Sequence, residues 1–235
     1  MSSKRKNKTE SHGSDLLENP EALATQISKS EEFVRTHRTL VTIIGAIIVL
    51  VVVGTVGYRF YLNNQNQEAQ SEMYQAIYYY EQDSLTLALR GDGNNLGFTD
   101  IVDQYGHTKA GNLANFYAGS IYLKQGKYEL ALLFLEDFST DDLLYQARAA
   151  SLLGDLYMEQ SNFENAIKHY REAIDYKPNK YFTPTYLLKA ALAYEKMNDP
   201  ESAIKAYKEI VEKYWDSEEY QLARKHLARL GGSES

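Results

Sequence analysis

Five histidines, His12, His37, His107, His169 and His226, are the side chains of this sequence best suited to move a proton near neutral pH or to ligate a metal ion. A metal site needs several such ligands to converge, and none of the five stands at a ligand spacing from another. Neither His-Glu-x-x-His nor Gly-x-Ser-x-Gly occurs, so the motifs of zinc proteases and serine hydrolases are absent. Each histidine is expected at the surface or in a turn. Cysteine is missing altogether, which excludes disulfides, thiolate zinc sites and a cysteine nucleophile. No catalytic role is assigned to any residue, and neither an enzyme activity, a cofactor nor a small-molecule substrate is expected.

The segment Gly91-Asp92-Gly93-Asn94-Asn95-Leu96-Gly97 invites comparison with loops that bind phosphate or calcium. It lacks the Gly-Lys-Ser/Thr ending of a phosphate loop, and no strand pattern precedes it. Against a calcium loop, Asp92, Asn94, Gly97 and Asp103 fall at the first, third, sixth and twelfth positions. The fifth position holds Leu96, which offers no oxygen, and the usually aliphatic eighth holds Thr99. A plain turn between helices is the expectation. Charge argues against nucleic acid as well: residues 59–235 carry 18 Lys/Arg and 26 Asp/Glu, and phosphate contacts need a basic surface.

What remains is chemistry of surfaces, and the elements that shape them are legible. Between Arg38 and Arg59 run twenty uncharged residues, TLVTIIGAIIVLVVVGTVGY. As a helix they would reach about 30 Å, the thickness of a bilayer's hydrocarbon core. The run ends in Tyr58-Arg59-Phe60, without the small residues of a cleavage site, so it reads as a retained signal anchor. Lys4, Arg5, Lys6, Lys8, Lys29, Arg35 and Arg38 precede it, which predicts a cytoplasmic N-terminus and residues 59–235 on the opposite side. Asn19-Pro20-Glu21 predicts a helix start, with Leu23, Ile27 and Val34 at helical spacing after a polar lead of 18 residues.

Beyond the anchor the sequence repeats. Gly119 and Gly154 occupy the same local frame thirty-five residues apart. Ala150, Leu153, Gly154, Tyr157, Phe163, Ala166, Tyr170, Ala173 and Pro178 match the large, small and aromatic positions of a tetratricopeptide repeat, except that Ala150 replaces the usual first Trp. An earlier copy has Ala118, Gly119, Tyr122, Gly126, Tyr128, Ala131 and Leu135; a later one has Leu187, Ala190, Ala191, Tyr194, Ala203 and Tyr207. Each copy predicts a helical hairpin in which small residues admit close approach and tyrosines fill the gap, with stacking supplying the core. Turns are expected at Gln125-Gly126-Lys127, Gln160-Ser161-Asn162 and Asn198-Asp199-Pro200. The stretch from Met73 through Arg90 has helical spacing and opens a divergent first hairpin; Asp216 begins a last amphipathic helix through Leu230.

The fold class expected is therefore all-α: one N-terminal transmembrane helix, then a tetratricopeptide-repeat solenoid with a C-terminal capping helix. Its segments are a cytoplasmic tail with a short amphipathic helix (1–38), the anchor (39–58), a linker helix with the divergent hairpin (59–108), three repeats (109–215) and the capping helix and tail (216–235). The order of LENPEALATQISKSEEFV, the span, GFTDIVDQYGHTKAGNLANFYAGSIYLKQGKYELAL and TPTYLLKAALAYEK resembles single-pass tetratricopeptide proteins of the Bacteroidota, akin to the YfgM-type ancillary subunits of the SecYEG translocon. That resemblance implies an inner-membrane anchor, a periplasmic repeat domain, and SecYEG subunits, periplasmic chaperones or exported chains as protein partners. A structural scaffold in another envelope complex, self-associating through Leu130 and Leu132, is the alternative.

A groove along the first helices of the repeats is the candidate partner site. Its expected residues are Leu113, Phe116, Ser120 and Lys124, then Arg148, Ser151, Asp155 and Glu159, then Thr185, Leu188, Leu192 and Lys196. The paired Lys, Arg and Asn that would clamp a terminal carboxylate are not at these positions. The mix of apolar and charged side chains suits an extended or helical segment of a partner.

Overall fold

A computed structural model describes residues 32–231; the predicted helix start at Asn19-Pro20-Glu21 lies outside the described residues. The chain forms two compact units, Met1–Phe60 and Tyr61–Ser235.

In the first unit the apolar run is helical, within α1 (Arg38–Glu81). Its Ile, Val and Leu side chains other than the half-buried Val41 are exposed, Leu50 at 71% and Val53 at 63%, and no residue of its most apolar stretch is buried. This is a helix apolar all round with nothing among the described residues of its own unit covering it. Two of the hydroxyls in the run, those of Thr42 and Thr55, donate to backbone carbonyls of Thr39 and Val51 in the same helix. Their polar groups are thus satisfied without water.

The second unit starts with the C-terminal part of α1, which buries Ala69, Met73 and Ala76. The helical spacing seen from Met73 through Arg90 is interrupted: α1 stops at Glu81 and α2 (Leu85–Arg90) follows. Asp83 takes a positive φ of 54°, the Ser84 amide donates to the Tyr79 carbonyl and the Asp83 amide to that of Tyr80. The same closure recurs after each later first helix, with Tyr122, Tyr157 and Tyr194 accepting from Lys127, Asn162 and Asp199. Gly126, Ser161 and Asn198 hold the positive φ each time. One Schellman-type motif thus turns every hairpin among the described residues, and its first instance belongs to the divergent pair α1/α2.

After α3 (Phe98–Tyr105) the hairpins are α4 (Lys109–Lys124) with α5 (Tyr128–Asp137), α6 (Leu143–Glu159) with α7 (Phe163–Asp175), and α8 (Thr183–Lys196) with α9 (Pro200–Lys213). Side-chain N-caps start four of these six helices: Thr108, Asp142, Asn162 and Asp199 each accept from a backbone amide two or three residues on. Pairs stack on one another, α5 on α6 and α7 on α8, and the first helices α4 and α6 also touch. The last element, α10 (Tyr220–Arg229), begins four residues after Asp216 and covers α9 with Ala223 and Leu227. Among the described residues every regular element is a helix.

Close approach inside the hairpins depends on two glycines. A Cβ on Gly119 would stand 2.7 Å from Leu135 Cγ, and one on Gly154 would stand 2.4 Å from the Tyr170 ring. Tyr170 is 2% exposed and Tyr207, its counterpart in the third hairpin, is fully buried. Two histidines differ from the surface expectation. His169 stacks on Tyr157 with its Nδ1 2.8 Å from Glu172, and His226 lies with Nδ1 2.8 Å from Glu195, its side chain only 16% exposed.

Candidate binding groove

The loop at Gly91–Gly97 is closed on itself. Asp92 accepts the Tyr79 hydroxyl at 2.7 Å, the amides of Asn94 and Asn95 at 2.8 and 2.7 Å, and the Asn95 side-chain amide at 2.9 Å. Those bonds hold the Asp92 carboxyl well below the usual carboxylate range, Tyr79 contributing most. Both oxygens are occupied by the turn itself. No group of three or more His, Asp or Glu side chains among the described residues could hold a metal.

A concavity of about 590 Å³ runs along the first helices. Tyr80 of α1, Phe116, Ser120 and Lys124 of α4, Arg148, Leu152, Asp155 and Glu159 of α6, and Lys189 and Leu192 of α8 line it. The 3.6-residue period places each set on one side of its helix, and the stacked hairpins bring the sets together.

Of the residues expected from the sequence, Phe116, Ser120, Lys124, Arg148, Asp155, Glu159 and Leu192 meet in this groove. Phe116 and Ser120 form its base and are almost fully covered, at 3% and 5% exposure. Ser151 is buried too, its hydroxyl 3.1 Å from Lys189 Nζ. Three of the expected set face elsewhere: Leu113 lines a separate cleft with Phe138 and Tyr145, Thr185 donates to Glu219 ahead of α10, and Leu188 packs into the core shared by α8, α9 and α10. Lys196 is exposed at the end of α8 and does not line the groove.

The floor is organised by two residues that the repeat frame did not single out for this purpose. Lys189 Nζ lies 2.7 Å from Asp155 Oδ2, while the Tyr170 hydroxyl donates to Asp155 Oδ1 at 2.7 Å. Burial first, then the Asp155 charge, pushes the Tyr170 hydroxyl up, so it stays a donor. This triad ties α6, α7 and α8 together and neutralises Asp155. The signal for Lys189 was present: it occupies the position held by Tyr117 and Leu152 in the other copies.

Aromatic rings wall one end. Tyr80 meets Tyr117 edge-on at 5.3 Å, Phe116 meets Tyr145 edge-on at 5.2 Å, and the hydroxyls of Tyr117 and Tyr145 are 3.1 Å apart. Lys124 lies over the Tyr80 ring at 4.8 Å. Arg148 and Glu159 are exposed at opposite ends of the α6 stripe and make no ion pair with any described residue. The groove therefore offers an apolar and aromatic base, one uncommitted cation and one uncommitted anion.

Residues 145–214, which span α6 to α9, match the family model described as Tetratricopeptide repeat. Comparison by sequence with curated proteins gives no match. Among solved structures, the chain is similar to a crystal structure of nearly identical TPR-like repeats from a Podosopora anserina protein assigned as a kinesin light chain. The TM-score is 0.56, with 12% identity over 70% of this chain and 85% of that one. At that identity the likeness concerns the fold, an all-helical tetratricopeptide-like solenoid.

Proposed function

We propose that this chain is a membrane-anchored adaptor whose repeat groove holds an extended or helical segment of a partner protein. The observation that carries the reading is the groove between α4, α6 and α8, where Arg148 and Glu159 face solvent unpaired above a base of aromatic and aliphatic side chains. Unpaired charges at fixed positions over an apolar base select a partner segment by register, and the burial of its apolar residues supplies affinity. Anchoring raises the concentration of the site at the membrane surface, which favours capture of chains that emerge there.

The apolar helix and the basic residues ahead of it support a single span with a cytoplasmic N-terminus, and the resemblance to anchored bacterial repeat proteins supports an inner-membrane anchor with the repeats in the periplasm. The resemblance to ancillary translocon subunits directs the partner search to SecYEG subunits, periplasmic chaperones and exported chains. Because cysteine is absent, single cysteines placed at Ser3 and at the exposed Glu218 report topology directly. A membrane-impermeant thiol reagent applied to spheroplasts should label the second and not the first. Purification in mild detergent should retain a translocon subunit or a chaperone with the native chain and lose it in R148E/E159K. Retention by the charge-reversed chain would remove the groove from the account, and labelling at position 3 would reverse the orientation.

A further inference from the structure

The second helices of the three repeats have the same place in the fold and different outer faces. At the position of Leu130 the next two copies hold Asn165 and Ser202; at that of Leu133 they hold Lys168 and Lys205. Leu130 is 40% and Leu133 55% exposed. Charge diverges with them. α7 and α9 balance their acids with Lys168 and Arg171 and with Lys205, Lys208 and Lys213, whereas α5 carries Glu129, Glu136 and Asp137 and no Lys or Arg. These three carboxylates are exposed and pair with no cation among the described residues. Lys127, just ahead of the helix, is engaged with Gln125 and the Tyr122 ring. Helical spacing puts Glu129, Leu133 and Glu136 in one row and Leu130, Leu133 and Asp137 in the next, so acids bracket the leucines at both ends.

We propose that this face of α5 is a second docking surface, and that its occupant is an amphipathic segment of another protein whose apolar residues are flanked by Lys or Arg. Apolar area that two sister helices cover with polar residues is costly to leave in water, and an acid-only border selects a basic partner. A second copy that meets it with the same face fits poorly, because two acid-only helices would be brought together. The only α5 residue that lines the groove is Tyr128, and Glu129, Leu130, Leu133, Glu136 and Asp137 do not line it, so the surface stands apart from the groove reading.

The probe is a pair of helical peptide pools with the same Leu, Ile and Phe face, one flanked by Lys and one by Glu, titrated against the full chain in detergent micelles. The Lys-flanked pool should bind at least about 10-fold more tightly than the Glu-flanked pool. L130N/L133K gives α5 the residues that α7 already carries, and it should abolish that binding while R148E leaves it intact. In E129K/E136K, which alters only exposed carboxylates, preference should pass to the Glu-flanked pool. Equal binding of the two pools, or unchanged preference in E129K/E136K, overturns the proposal. So does a dimer of the native chain in sedimentation that L130N/L133K dissociates, since the occupant would then be a second copy.

Discussion

Replacing Gly154 by Ala should destabilise the repeats although alanine is the better helix former. In a helix interior the change gains about 1 kcal/mol. Against it stands the Tyr170 ring, with Cε1 2.4 Å and Cδ1 2.5 Å from the position the new Cβ would take. The ring cannot swing freely, because its hydroxyl donates to Asp155, which Lys189 holds in turn. If it stays, overpacking costs about 1 to 3 kcal/mol. If it moves, a hydrogen bond to a charged acceptor is lost, at about 1.5 to 3 kcal/mol. Set against the helix-propensity gain, the net expectation is a loss of about 1 kcal/mol, or a urea midpoint lower by about 0.5 M at unchanged slope. The third hairpin shows why the tether matters: Ala191 occupies the glycine position there, and Tyr207 reaches instead to Glu195, four residues further along α8. Urea unfolding of the full chain in detergent, followed by circular dichroism, should show G154A losing most of its cost in a Y170F background. A neutral G154A, or an equal cost with and without the Tyr170 hydroxyl, refutes the reasoning.

Acid should loosen the C-terminal cap. Burial would raise the Glu195 carboxyl, but hydrogen bonds from Tyr207 and His226 and the Arg229 charge outweigh it and hold the group below its ordinary value of 4.5. A lowered carboxyl stabilises the fold above that value and loses its contribution as pH falls through the folded-state value, so E195Q should flatten the acid limb of a stability profile taken below pH 4.5. D92A should speed hydrogen exchange of the amides of Asn94 and Asn95, which now donate to the Asp92 carboxylate, and leave α6 to α9 unchanged. R148E should leave the unfolding free energy measured in urea within about 0.5 kcal/mol of native, because Arg148 is exposed and unpaired, while lowering recovery of the groove partner in a mild-detergent purification.

Periodicity carried most of the architecture. The matching frame of Gly119 and Gly154 is enough to infer hairpins, because a small residue opposite a large one is needed wherever two helices come this close. The break at Asp83 was not visible, since a positive φ at an aspartate leaves no glycine in the sequence to mark it. The repeated tyrosine at its turn, Tyr79 with Tyr122, Tyr157 and Tyr194, was the available sign. Helical spacing picked out the side of α4 and α6 that lines the concavity, but it could not tell an exposed Arg148 from a covered Ser151, because that depends on how Lys189 reaches across from α8. Leu188 and Thr185 face away from it, toward α9 and α10 and toward Glu219, for the related reason that the last hairpin meets a capping helix where the others meet another repeat.

The most direct test of the groove as a partner site is photo-crosslinking in cells from Arg148, Glu159 and Leu152, with Lys168 on the outer face of α7 as the reference position. The three groove positions should capture the same protein, identified by mass spectrometry as a translocon subunit, a periplasmic chaperone or an exported chain, and Lys168 should not. Capture of that protein equally from Lys168, or of no protein from any groove position, would contradict the account.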